Sequence, residues 1–453
     1  MADKKRETFS SPMAIFFATL GSAVGLGNIW KFPYMVGTNG GGAFLLVYII
    51  CIVLVGLPIM ISEFFIGRST RKSPISAFAA ISSKYEFIGY LYLLSTYFVL
   101  FFYSCVAGWV YLYVFKSLIG GFKNLDPEMS NLIFTNATIG PISPMLWQLL
   151  SIVVVGSILC LGVKSGIEKM TKTLMPVLFI LLIIVAIRGL TLPGALEGLK
   201  FLFVPDFSLL TSSSIISALG LAFFKLSLAM GTVITYASYF TEDANMVKTG
   251  VSVAISDTII SILAGIAIFP VVFSFGLEPN AGAGLLFITI PLVFSKIPFG
   301  SILLVAFFIL VAIAATGAMM SLMEVTVASL MDKKGYTRVQ SVIITSCIIF
   351  AFGIFATLSY NPLALLGGLR DPLFNASIFD FYDLLSSNII MPISGLLTAL
   401  ITGYYIARYR LYAEISNNGN LNIEKTFNVY VFILKYVTPI LVLIIFASSL
   451  GVF

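Results

Sequence analysis

Apolar residues fill this chain in runs separated by short polar segments. A helix of about 20 apolar residues matches the hydrocarbon thickness of a bilayer. Eleven such runs are read, at roughly 11–36, 42–66, 88–116, 145–163, 169–189, 212–240, 250–276, 301–330, 337–358, 382–407 and 427–452. Turn-forming segments such as GGFKNLDPEMSN and NPLALLGGLRDP lie between them. The pattern predicts an all-α membrane protein with 11 transmembrane helices. Two runs are interrupted. The first holds Gly21, Gly25 and Gly27 within LGSAVGLGN. Each glycine weakens a helix by about 1 kcal/mol relative to alanine. The string therefore reads as unwinding, or more plainly as close helix packing through small residues. The sixth run contains AFFKLSLAMG, with Lys225 and Ser227 in apolar surroundings before Gly231. Non-helical backbone is tolerated at membrane depth only where it is buried in protein or lines a cavity. Interrupted spans in corresponding positions of two halves point to a transporter's binding site. Runs one and six are five apart, as two five-helix repeats require.

Composition agrees with lipid as the solvent. The 453 residues are 59% hydrophobic and 10% charged, against roughly 25% charged in soluble domains. There is no histidine, which excludes histidine metal sites and imidazole proton relays. No HExxH string and no nucleophile–base pair stands in the runs, so an enzyme is disfavoured. Cys51, Cys105, Cys160 and Cys347 are scattered singly among apolar residues and read as small buried hydrophobes. The net charge of +6 needs no nucleic acid, because basic residues at the cytoplasmic ends of spans account for it. With the N-terminus inside, 17 of the 26 Lys and Arg fall on the inner side, among them Lys4, Lys5, Arg6, Arg68, Arg71, Lys333 and Lys334, and 7 fall outside. That bias predicts a multi-pass protein of the cytoplasmic membrane, with a cytoplasmic N-terminus and, after eleven spans, an outer C-terminus. The basic start MADKKRE leads into apolar sequence with no small-residue cleavage site, so no cleavable signal is expected.

GSAVGLGNIWKFPYMVGTNGGGAF at Gly21–Phe44 resembles the first-span signature of the neurotransmitter:sodium symporters. GLPIMISEFFIGR (Gly56–Arg68), FYSCVAGW (Phe102–Trp109), VITYASYF (Val233–Phe240) and AGIAIFP (Ala264–Pro270) also match. The similarity spans nearly the whole chain, and its short termini resemble the bacterial branch. The resemblance implies a leucine-transporter-like fold in a single domain covering 1–453, with helices 1 and 6 unwound at mid-membrane. Its parts are two inverted five-helix repeats at about 11–189 and 212–407 plus an extra helix at about 427–452. It also implies secondary transport of an amino acid by alternating access, driven by sodium, with no resident cofactor.

In the family's amino-acid carriers the substrate carboxylate meets backbone amides of the unwound first span, a third-span tyrosine and one sodium ion. By position these parts are Ala23, Gly25, Leu26, Gly27 and Tyr103. Helix N-termini suit an anion. Taken alone, Tyr103 reads as a packed tyrosine. Amine-specific relatives carry an aspartate where this chain has Gly25, which favours a substrate with its own carboxylate. Side-chain specificity falls to Val99, Phe224, Met230, Met319 and Leu322, with Ser22, Ser227 and Ser321 nearby. Met319 stands where many relatives have a small residue, which predicts a shallow pocket for a small or medium apolar amino acid.

Both family ion positions depart from pattern. At the first, Ala23 and Asn28 match and Asp257 takes the seventh-span place, but the sixth-span hydroxyl position is Lys225. An ammonium has three donors and no acceptor, so it cannot ligate a cation. At the second, Gly21, Val24 and Ala314 supply carbonyls, while the hydroxyl pair falls on Gly317 and Ala318. Hard cations take several oxygen ligands. A one-residue bulge would let Thr316 restore one hydroxyl. A mid-membrane lysine costs about 2.5–3.5 kcal/mol on insertion scales, so Lys225 needs a reason. The leading reading makes it a tethered substitute for the first sodium. Its ammonium would pair with Asp257, hydrogen-bond Asn28 and meet the substrate carboxylate, leaving transport sodium-independent or weakly dependent. The alternatives are a lysine reaching a water-filled cavity, a titrating lysine that carries a proton, and a conventional sodium symporter. From another class comes a non-transporting amino-acid sensor, which long soluble termini would favour.

The resemblance also gives gates. Lys31 and Asp383 flank the outer side, above a lid of Tyr103 and Phe224. Arg6 meets Asp332 on the inner side, with Phe9 as plug and Tyr239 beside them. Their plain reading is solvated terminal charge, with surface pairs worth about 0–1 kcal/mol. Glu63, an acid inside a span, reads as structural and neutralised by first-span amides.

Overall fold

A computed structural model describes residues 6–123, 125–276 and 284–449. Lys4, Lys5 and the end of the last apolar run lie outside the described residues. Among the described residues the secondary structure is helical, with one isolated bridge between Gly41 and Pro205.

The expected spans appear as α1 (Pro12–Ala23), α2 (Gly27–Thr38), α3 (Gly42–Thr70), α4 (Ser83–Leu118), α5 (Ile142–Cys160), α6 (Val163–Leu190), α7 (Ser212–Lys225), α8 (Thr232–Ala237), α9 (Met246–Ser274), α10 (Gly300–Lys334), α11 (Arg338–Ser359), α12 (Ile378–Tyr405) and α13 (Glu424–Ile444). Nine of these are long and apolar enough to cross a membrane, and α1 with α2, bent by 53°, makes a tenth. The count of eleven is not met by whole helices: α7 and α8 are each too short, and the sixth expected span exists as two pieces. Several connections are helical too, among them Pro74–Ile81, Pro127–Ile139 and Ala195–Phe203.

The two breaks have different local causes. α1 is started by Ser11, whose hydroxyl accepts from the Ala14 amide, and by Pro12 in the first turn. It stops at Ala23, because Val24 is extended (φ −80°, ψ 103°). Gly21 stays helical and serves packing: a side-chain carbon there would lie 3.1 Å from Thr171 Cγ2 of α6. Gly25 is in the break itself. Both readings of the glycine string are therefore realised, at different glycines.

Between α7 and α8 the chain turns through left-handed backbone at Ser227 (φ 52°), Ala229 (φ 57°) and Gly231 (φ 80°). Non-glycine residues in that region cost roughly 1–2 kcal/mol each. Glu63 offsets this. Its Oε1 accepts from the Ala229 amide (2.7 Å) and from the Tyr92 hydroxyl (3.0 Å). The expectation that Glu63 binds first-span amides is thus corrected, because its carboxylate pins the sixth-span turn. The cysteines also differ from expectation. Cys51 and Cys105 are buried, but Cys160 and Cys347 are exposed on the outer surface of α5 and α11.

α4 and α10 pack against each other, and α10 also packs on α1 and α6. The two breaks face this pair, which places them at one central cavity.

Candidate functional site

The cavity is lined by Ser22, Ala23, Gly25, Leu26, Gly27, Val99, Tyr103, Phe224, Lys225, Ser227, Met230, Ala318 and Leu322, and holds about 340 Å³ of empty space, counting its open part. Eleven of the thirteen residues expected around the substrate are thus brought together. Met319 and Ser321 are the exceptions, and Met319 is the one expected to shape the pocket. It is fully buried but does not line the cavity; Ala318 does. An α-helix turns about 100° per residue, so Ala318 and Leu322 share one face of α10 and Met319 points off it. Ser321 is also off the wall, with its hydroxyl donated to the Ala318 carbonyl at 2.7 Å.

The wall is polar where the backbone opens. α2 begins at Gly27, and the first N–H groups of a helix have no partner within it. The Leu26 amide donates to the Tyr103 hydroxyl (3.2 Å), which leaves the tyrosine proton to donate elsewhere. Ser227 donates to the Ser22 carbonyl at 2.7 Å and so ties one break to the other. Gly25 has no room for a side chain: an added carbon would stand 2.8 Å from the Ala318 methyl and 3.0 Å from the Tyr103 hydroxyl.

At the first ion position, Lys225 Nζ lies 3.0 Å from Asp257 Oδ2, with both side chains fully buried. The ammonium also donates to the Tyr48 hydroxyl (2.9 Å) and to Ser261 Oγ. It sits 4.8 Å from the Phe32 ring centre and 4.9 Å from that of Tyr48, distances at which aromatic faces attract a cation. Asn28 belongs to the same cluster, but through Asp257: its Nδ2 donates to Asp257 Oδ1 (2.6 Å) and Ser261 Oγ (3.1 Å), while its Oδ1 accepts from the Gly25 amide (3.2 Å). The expected Lys225–Asn28 hydrogen bond is therefore absent. The three N–H groups are taken by Asp257, Tyr48 and Ser261, so in this arrangement the ammonium has no donor for a substrate carboxylate. Tyr48 and Ser261 were not anticipated. Ser261 had a signal, since it stands one turn beyond Asp257 on the same helical face.

At the second position, Gly317 faces the Gly21 carbonyl, with an added carbon 3.3 Å from that oxygen. Ala314 O lies 4.0 Å from the start of any Gly25 side chain, and Ala318 presents only its methyl. Val24 ends α1 beside them. Gly317 and Ala318 bring no side-chain oxygen to the Gly21, Val24 and Ala314 carbonyls. Thr316 does not replace them. α10 is continuous through it, and its hydroxyl is shared with Tyr111 (2.7 Å) and the Ala312 carbonyl (2.7 Å). The adjoining space is lined by Ile158, Met170, Leu174, Met175 and Met320, with Thr171, Thr316 and Gly317.

The two expected gate clusters are unequal. Arg6 Nη1 donates to both Asp332 oxygens (2.7 and 2.8 Å), and the Ser73 amide joins at 2.7 Å. Burial opposes the Arg6 charge, but Tyr239, Asp332 and Glu324 outweigh it and hold the guanidinium above its ordinary range. Phe9 is buried edge-on against Tyr236 and Tyr239. Tyr239 donates to Glu324 (2.6 Å), which also pairs with Arg338 (2.6 Å); Glu324 and Arg338 were not anticipated. Outside, Lys31 is 3.7 Å from Asp383, both partly exposed, and 4.2 Å over the Phe224 ring. Tyr103 and Phe224 divide the cavity from an outer vestibule of about 920 Å³, counting its open part. The Arg6 end is held by ion pairs and packed rings, the Lys31 end by aromatic rings and a longer charge contact.

The family model for the sodium:neurotransmitter symporter family matches residues 6–125 and 128–453. The chain is 36% identical over 454 residues to YhdH of Bacillus subtilis, described as a sodium-dependent transporter, covering 100% of this chain and 99% of that one. It is 37% identical over 464 residues to a sodium-dependent transporter of Haemophilus influenzae, covering 99% of each. Among solved structures it is similar to MhsT in complex with L-phenylalanine, with 39% identity, a TM-score of 0.91, and 98% of this chain and 100% of that chain covered. These relatives are transporters and not enzymes. The chain belongs to the sodium:neurotransmitter symporter family, with its leucine-transporter-like fold.

Proposed function

We propose that the protein is a secondary carrier of an apolar amino acid, working by alternating access, in which the Lys225 ammonium stands in the first cation position; with Ala318 and not Met319 on the wall, the expected limit to small or medium side chains is dropped. Uptake then needs little or no sodium. The fully buried Lys225–Asp257 pair at 3.0 Å carries this reading. An ammonium there puts a positive charge where a mobile cation would sit, and its hydrogen bonds offset the cost of burying it. The bare second position supports the same conclusion. An amino acid fits because MhsT is solved with one, and because the crowded Gly25 site leaves no room for a protein carboxylate, so the substrate brings its own. Its carboxylate is received by the backbone at Leu26 and Gly27 and by Tyr103. This differs from direct contact with Lys225, which acts through Asp257 and Asn28 on the Gly25 segment.

The same reading keeps two inverted repeats (11–189 and 212–407), a cytoplasmic membrane and an inner N-terminus. Sodium coupling is the second reading, favoured by the description of the relatives as sodium-dependent. It requires Lys225 to leave Asp257 before an ion enters.

The test is uptake in proteoliposomes. A thermal-shift screen of free amino acids first identifies the substrate. Its uptake is then measured with sodium replaced by choline or potassium at fixed pH. Retained uptake supports the proposal; collapse overturns it in favour of sodium symport.

A further inference from the structure

Away from the transport path, the start of α4 and the end of α12 form an apolar groove. Tyr85, Phe87, Leu397, Leu400, Ile401 and Tyr404 line it, and it holds about 670 Å³, counting its open side. Tyr85 meets Tyr405 edge-on at 4.9 Å, closing one end. The groove lies on the face of the molecule that carries the Arg6–Asp332 pair, because Ser73 touches Asp332 and Glu86 pairs with Lys333. Phe87 and Tyr404 are more than half exposed there.

One cation lies against a groove residue, and two more stand close to groove residues in sequence. Lys435 Nζ lies 5.2 Å over the Tyr404 ring, and the Tyr404 hydroxyl donates to the Lys435 carbonyl at 2.9 Å. Lys84 adjoins Tyr85, and Arg408 follows Tyr405 by three residues, its guanidinium donating to Asn428 Oδ1 and lying 5.7 Å over the Phe427 ring. Among the described residues none of the three has a carboxylate within 4.0 Å. The nearby acid Glu86 is engaged by Lys333. Lys435 stands eleven residues beyond the start of α13, about 16 Å along the helix at 1.5 Å per residue. A cation at that depth needs an anion, or must reach back to the interface.

We infer that this groove binds an anionic phospholipid, one acyl chain lying against Leu397, Leu400 and Phe87 and the phosphate meeting Lys435, with Lys84 and Arg408 at its edge. Basic clusters beside apolar helix clefts recognise anionic headgroups in this way. The occupant would brace α4, which carries Val99 and Tyr103, against α12, which carries Asp383. The cavity residues are not part of the groove, so this inference stands apart from the transport proposal.

The test is native mass spectrometry of the full chain released from nanodiscs of phosphatidylglycerol or of phosphatidylcholine with the same chains. The expected result is retention of phosphatidylglycerol by about ten-fold over phosphatidylcholine. The preference should disappear in the triple variant Lys84→Gln, Arg408→Gln, Lys435→Gln. Lys435→Arg should keep it, which preserves the test if the triple variant fails to fold. Equal retention of both lipids, an unchanged preference in the triple variant, or a two-copy mass that excludes both lipids would each overturn the inference.

Discussion

Asn28 Nδ2 lies 2.6 Å from Asp257 Oδ1, while the same side chain's oxygen accepts from the Gly25 amide. The ion pair between Lys225 and Asp257 is thereby linked, through one amide side chain, to the unwound segment that lines the cavity. A charge at this place has two effects: it offsets the Asp257 carboxylate, and through Asn28 it holds the Gly25 segment, which the proposed function makes the substrate's seat.

Removing the charge alone should be costly. Lys225→Met strands a buried carboxylate, and breaking such a pair typically costs about 3–5 kcal/mol. The expected outcome is a lower melting temperature in detergent and loss of substrate binding without sodium. Lys225→Met with Asp257→Asn should recover much of the stability but not the binding. Sodium-free binding unchanged in Lys225→Ala would make the lysine a bystander.

The other two acceptors should matter less, and measurably. Ser261→Ala and Tyr48→Phe each leave one N–H of the ammonium without a partner, a loss of about 1–3 kcal/mol. Substrate Kd should rise by roughly ten-fold or more in each, with a monodisperse, folded protein. Ser261→Thr keeps a hydroxyl and should bind far better than Ser261→Ala. Isothermal titration reads both.

Gly25→Ala places a carbon 2.8 Å from the Ala318 methyl and 3.0 Å from the Tyr103 hydroxyl. Neither a methyl on a rigid helix nor a hydroxyl held by the Leu26 amide can yield cheaply, and overpacking of this sort costs about 1–3 kcal/mol. Binding should fall sharply. Ala318→Gly added to Gly25→Ala should restore part of it, because the nearer of the two collisions is removed.

The inner gate makes a conformational prediction. Asp332→Asn removes the charge that Arg6 and the Ser73 amide share. The population open to the inner side should rise, seen as faster hydrogen exchange in residues 6–15 at unchanged exchange in α4 and α10. Lys31→Ala acts on a longer, more exposed contact and should change exchange on the inner side little.

Much of this was legible beforehand. Apolar runs of spanning length give the helices directly, because no water is available to satisfy exposed backbone in a bilayer. Gly25 beside Gly27 marked the first break, and the resemblance placed Lys225 against Asp257. What escaped was rotation and cross-helix partnership. The middle of α10 carries only Thr316 and Ser321 as polar side chains, too few to make a stripe that tells Ala318 from Met319. Tyr48 reaches Lys225 across 177 residues of sequence, and Glu63 reaches Ala229 across 166. Such pairings depend on how helices pack, which hydrophobic pattern leaves open. Glu324 and Arg338 are closer in sequence, yet they sit on two helices joined by a corner whose angle the sequence does not state.

If the ammonium of Lys225 does the work of a cation, substrate affinity is indifferent to sodium. The Kd of the preferred amino acid should be measured by titration in choline chloride and in sodium chloride, at one pH and ionic strength. Values within about two-fold of each other are expected. A Kd lower by about ten-fold or more in sodium would mean that a mobile ion still occupies the site, and would contradict that role for Lys225.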